Sequence, residues 1–130
     1  MTVELIYLAL SIVLAFAQLL LAAFAATHVR GLAWNAGARD AVLPPLEGVA
    51  GRLERAHRNM METFPLFVGA IAIAHFAGAH NWLSIGGAAL YFWARVVYVP
   101  LYVLGVPYVR SMVWSFAMAG LFLVLLSPFA

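Results

Sequence analysis

The sequence contains no cysteine, no lysine and very little charge of either sign. Without cysteine there are no disulfides, no thiolate metal sites and no cysteine nucleophile. Only 9% of the 130 residues are charged and 66% are apolar, whereas a soluble domain keeps about 25% charged residues to wet its surface. Mean hydropathy is +1.00. Lipid, not water, must therefore meet most of the surface. The chain also lacks a phosphate loop, a nucleophile triad and a dinucleotide fingerprint. Its histidines have no metal-ligand spacing with carboxylates, so no metal site is expected.

What remains is apolar in long runs. The first covers about residues 5–27, broken only by Ser11 and Gln18, enough to cross a hydrocarbon core of about 30 Å at about 1.5 Å per residue. The small residues near Ala22–Ala26 imitate a signal-cleavage site, but the run is too long and opens on Glu4 instead of a basic stretch, so a retained helix is expected. A polar connection follows over about 28–51, marked by Asn35, Gly37, Asp40, Pro44, Pro45 and Gly48. Further spans are expected at about 52–79, 83–104 and 110–126. Pro65 lies inside the second, where a membrane helix tolerates it with a kink. Small-residue pairs at Ala70/Ala74, Gly86/Ala89 and Ala117/Gly120 suggest close helix approaches in lipid. The expected fold is all-α: one integral membrane four-helix bundle over 1–130.

All seven basic residues are arginine, whose planar fork suits carboxylates and stays charged when partly desolvated. Arg30, Arg39, Arg52 and Arg55 flank the first connection, and Arg110 borders the last turn; the other side of the membrane has no arginine. The positive-inside rule then puts both termini outside and these connections in the cytoplasm. On a helical wheel at about 100° per residue, Asn59 falls about 40° and Glu62 about −20° from Arg55, with Arg52 and Arg58 about 60° to either side. Arg95, Tyr98 and Tyr102 make a second stripe on the third span, and Arg110 with Ser111 opens the fourth at the same level. Each centrally placed charge costs about 2.5–3.5 kcal/mol on insertion scales. An Arg95–Glu62 ion pair fixing helix register would explain part of the cluster. One carboxylate cannot neutralise Arg52, Arg55, Arg58, Arg95 and Arg110 together, and the excess points to a small, multiply charged anionic ligand. Arginines at membrane depth exclude a nucleic-acid surface.

The segment Arg52-Leu-Glu-Arg-Ala-His-Arg-Asn-Met-Met-Glu-Thr-Phe-Pro-Leu-Phe67 resembles the signature of the MAPEG family, the membrane-associated proteins in eicosanoid and glutathione metabolism. Arg95-Val-Val-Tyr-Val-Pro-Leu-Tyr102 and Arg110-Ser111 resemble that family's third and fourth helices, so the similarity spans essentially the whole chain. The resemblance implies a homotrimer with glutathione sites between subunits. Arg55, Asn59 and Glu62 would hold the charged ends of the tripeptide, and Tyr98 and Tyr102 would contribute from the third helix. Arg110 would stabilise the thiolate with Ser111 beside it. Arg52 and Arg95 join the expected ligand-binding residues from the charge cluster itself, not from the resemblance. Lowering a thiol pKa by one unit needs only about 1.4 kcal/mol of preferential thiolate stabilisation. Thr63 stands where some members carry Tyr, and Tyr98 where the prostaglandin-forming branch carries His. These departures argue against a named eicosanoid reaction and toward a bacterial-type relative, expected in a bacterial inner membrane. The two stripes of Arg and Tyr at the family's spacing make the leading expectation a glutathione-dependent transferase or peroxidase for lipophilic electrophiles. The alternative is a non-catalytic subunit of the same fold within a larger membrane complex.

Overall fold

The computed structural model describes all 130 residues, and every regular element is helical. Helix α1 runs Val3–Arg30, capped at its start by Thr2, whose hydroxyl accepts from the Leu5 amide at 3.3 Å. Gly31, at φ 94, ends it in a conformation that glycine adopts without strain. A short α2, Leu32–Ala36, interrupts the connection that the sequence presents as irregular. Helix α3 covers Gly48–Phe76, α4 Trp82–Val103 and α5 Val109–Leu126, followed by a 3-10 turn at Ser127–Phe129. Asn81 caps α4 reciprocally: its side chain accepts from the Leu83 and Ser84 amides, and the Ser84 hydroxyl accepts from the Asn81 amide.

The segments Val3–Arg30, Gly48–Phe76, Trp82–Val103 and Val109–Phe129 are long and apolar enough to cross a membrane. Between 22% and 44% of each span is buried within the chain, so most side chains face outward, where lipid or another chain must cover them. Phe16, Phe24, Leu66 and Phe122 are among them. The chain is thus an integral membrane protein, in which bundle packing rests on van der Waals fit more than on expulsion of water.

That fit is tightest where α4 crosses α5. A Cβ placed on Gly87 would lie 2.6 Å from the Gly120 carbonyl oxygen, and one on Gly120 would lie 2.6 Å from that of Gly87 and 2.7 Å from the Tyr91 nitrogen. Backbone meets backbone there, and only glycine fits. The α4 residue is Gly87; Gly86, named from the sequence, is exposed with open space around its Cα. Ala70, Ala74 and Ala117 are buried as small contact residues. Beside the crossing, the Tyr91 ring stacks on Phe67 with centroids 3.9 Å apart. The Tyr91 hydroxyl meets Thr63 Oγ1 at 3.1 Å, and Thr63 donates onward to the Met60 carbonyl at 3.3 Å. At this point of the α3–α4 seam, Tyr91, Thr63 and the Met60 carbonyl therefore satisfy one another.

Candidate functional site

The start of α3, the end of α4 and the start of α5 meet at one end of the bundle, and each carries arginine. Arg52 donates to the Val103 carbonyl at 3.1 Å, where the last carbonyls of α4 lack helical partners. Its guanidinium lies beneath Gly105, which turns the chain at φ 72. Arg55 Nε donates to the Tyr102 hydroxyl at 3.2 Å, and the Arg110 guanidinium lies over the Tyr102 ring at 4.6 Å. Arg52, Arg55, Arg110, Tyr102 and the turn Gly105–Pro107 line a cavity of about 290 Å³. A second cavity of about 260 Å³ is lined by Asn59, Tyr98, Arg110, Ser111 and Trp114. Arg110 lines both, so the two cavities adjoin at its side chain and are together called the groove, with Arg110 at its waist.

No ion pair within the chain engages the charges in this groove. Arg52, Arg55 and Arg110 face it, and no carboxylate lines either cavity. Arg58 is turned out and paired with Glu54 at 2.8 Å, an exposed i,i+4 pair worth a few tenths of a kcal/mol. Near a low-dielectric wall such cations attract an anion far more strongly than in open water.

Two sequence expectations are altered. Arg95 does not pair with Glu62: its Nη1 donates to Asn59 Oδ1 at 2.8 Å, and its guanidinium stacks over the Tyr98 ring at 4.4 Å. Asn59 lies one helical turn before Glu62 and takes up the arginine first. Glu62 itself is exposed and joins no ion pair in the chain. It leaves the groove and points out from α3 with Met61, Pro65 and Leu66.

Trp114 was not foreseen as a site residue. Its signal was its position four residues after Arg110, on the same face of α5. Gln18, which reads as a mere interruption of an apolar run, is buried in α1 with both amide atoms unpartnered, as is His57 Nδ1. Arg30 and Arg39 lie against Trp34 at 4.9 and 4.3 Å, which gives α2 its role of fixing two cations beside the helix ends.

The opposite end of the bundle holds a different cluster. Glu4 is only 3% exposed, and Oε1 accepts from the Ser84 hydroxyl at 2.5 Å and faces His80 Nδ1 at 3.3 Å. Asn81 Nδ2 donates to the Ser127 carbonyl at 3.0 Å. One carboxylate thus joins the start of α1 to the α3–α4 turn, and Asn81 extends the clasp to the end of α5.

Comparison with known families matches the MAPEG family over residues 6–130 of the 130. The chain belongs to the MAPEG family. No curated protein and no solved structure matches it. Across this MAPEG chain the match takes in the arginine groove and nearly all of the four spans, and begins two residues after Glu4.

Proposed function

We propose that the groove binds glutathione and stabilises its thiolate, and that the protein is a glutathione-dependent transferase or peroxidase acting on lipophilic electrophiles. The observation that carries this reading is a cavity with three arginines and no carboxylate at the end of a membrane bundle. Glutathione brings two carboxylates, one ammonium and a thiol. Arg52 and Arg55 suit a carboxylate, which a guanidinium binds through charge-assisted hydrogen bonds. Arg110, at the waist, suits the sulfur: its charge favours thiolate over thiol. The thiolate then attacks an electrophilic carbon, its sulfur forming the new bond as the leaving group departs. Trp114, exposed on α5 beside Ser111, offers an aromatic surface to an apolar second substrate arriving from the bilayer.

The ammonium needs an acid, and Glu62 faces away from its own groove. A carboxylate left against lipid costs about 2.5–3.5 kcal/mol. Glu62 is best placed against a second copy of the chain, and a closed homotrimer would bring every exposed α3 face against a neighbour's groove. In this assembly both termini lie outside and the groove opens at cytoplasmic depth, on the side where the arginines concentrate.

The test is ultraviolet thiolate absorbance on adding glutathione to the purified protein, with native mass spectrometry giving subunit and ligand stoichiometry. Thiolate should form with the wild type and vanish in Arg110→Ala while the oligomer persists. Undiminished thiolate in Arg110→Ala would remove Arg110 from its role. No bound glutathione, together with co-purifying partner subunits, would favour a non-catalytic MAPEG subunit of a larger complex.

A further inference from the structure

Arg95 is 0% exposed and lines neither cavity of the groove. Its Nε and Nη2 have no partner, and its contacts are the Asn59 oxygen at 2.8 Å and the Tyr98 ring at 4.4 Å. A buried cation in so poor a setting is expensive, and a register-fixing ion pair does not account for it, because no carboxylate answers it. What it does is visible in the chemistry of its partner. A guanidinium has donors and no acceptor, so only the oxygen of the Asn59 amide can face it. An unconstrained asparagine can flip and show a ligand either an acceptor or two donors. With Oδ1 claimed from behind, Nδ2 is the end left for the cavity that Asn59 lines with Tyr98, Arg110, Ser111 and Trp114.

We infer that Arg95 is a positioning residue that locks the Asn59 amide so that an N–H donor, not an oxygen, faces the groove beside Arg110. The cation on the oxygen side also polarises the amide and strengthens that donor. Stacked on Tyr98, it holds the phenol that forms the neighbouring wall. The groove thereby selects for an acceptor at this point, a carboxylate or thiolate, and against an ammonium. Arg95 sets this preference without touching the ligand.

The inference rests on the glutathione reading, and the experiment separates the two. Glutathione Kd is measured calorimetrically on purified wild type, Arg95→Met, Asn59→Ala, the double variant and Asn59→Asp. Each single truncation should raise Kd about tenfold, and the double variant should be no worse than either single, because both remove the same donor. Arg95→Lys, which keeps a cation within reach of Oδ1, should recover most of the loss. Asn59→Asp should bind more weakly than Asn59→Ala, since Arg95 would then fix a carboxylate that shows the ligand an oxygen. Arg95→Leu, which likewise has no donor for Oδ1, replaces Arg95→Met if the latter does not fold. If the Arg95 truncation costs as much in the Asn59→Ala background as in the wild type, Arg95 acts through the fold or on the ligand directly, and the inference falls. Wild-type affinity in the Arg95 truncation, or Asn59→Asp binding as well as Asn59→Ala, overturns it too, with the glutathione reading intact. A wild type that binds no glutathione overturns both.

Discussion

The two ends of this bundle solve the same problem in opposite ways. At one end Glu4 is closed in by Ser84 and His80, and Asn81 ties the turn to Ser127. At the other, Arg52, Arg55 and Arg110 stand around open cavities with phenols and carbonyls for company and no acid. Both clusters sit at the margins of apolar spans, where unpaired polar groups are costly. A closed cluster has nothing left to offer and serves to hold helices together. An open one keeps its charge unsatisfied, and the proposed glutathione site rests on that. The difference is in completeness, not in the number of polar residues.

Perturbations should therefore separate stability from binding. The largest expected effect is on both ends at once: Gly120→Leu drives a side chain into the Gly87 carbonyl and the Tyr91 backbone. Overpacking of this kind, with backbone as the obstacle, should cost about 3 kcal/mol or more, seen as loss of the folded species in thermal denaturation. Next, Arg55→Ala should weaken glutathione binding about 10- to 100-fold, the worth of a charge-assisted hydrogen bond, with an unchanged melting temperature. Glu4→Ala should do the reverse. It removes the bond from Ser84 to α1, leaving that hydroxyl its Asn81 partners, and should lower stability by about 1 kcal/mol, leaving glutathione Kd as in the wild type; Glu4→Gln, which keeps an acceptor, should lose less. A change in glutathione affinity in Glu4→Ala would show that the ends are coupled. The smallest effect is at the turn into α5, where Tyr108 adopts φ 55. Tyr108→Gly should relieve about 1 kcal/mol of strain from this positive-φ γ-turn geometry, measured as a modest rise in melting temperature.

The spans were legible because a 3.6-residue helix needs only apolar length, and length is written in composition. The α3 stripe was legible for the same reason: Arg55 and Asn59 are one turn apart in any helix. What crosses between helices was not. The sequence offers Glu62 and Asn59 on one stripe, and nothing in the spacing says which one Arg95 meets; the relative rotation of α3 and α4 decides it. Gly86 and Gly87 are adjacent and chemically identical, yet only one faces α5. Trp114 sat among other apolar residues of α5, and its place beside Arg110 became meaningful only once α4 supplied Tyr98 opposite. Glu4 looked like an ordinary acidic helix start, since its partner Ser84 is eighty residues away.

A structure determined with glutathione bound bears most directly on the claim that the open end awaits an anionic thiol. The account predicts the tripeptide in the groove, carboxylate on Arg52 or Arg55, sulfur beside Arg110, the Asn59 amide donating to it, and Glu62 of an adjoining copy near its ammonium. Glutathione bound elsewhere, or a groove filled by side chains of a neighbouring subunit with no room for it, would contradict the account.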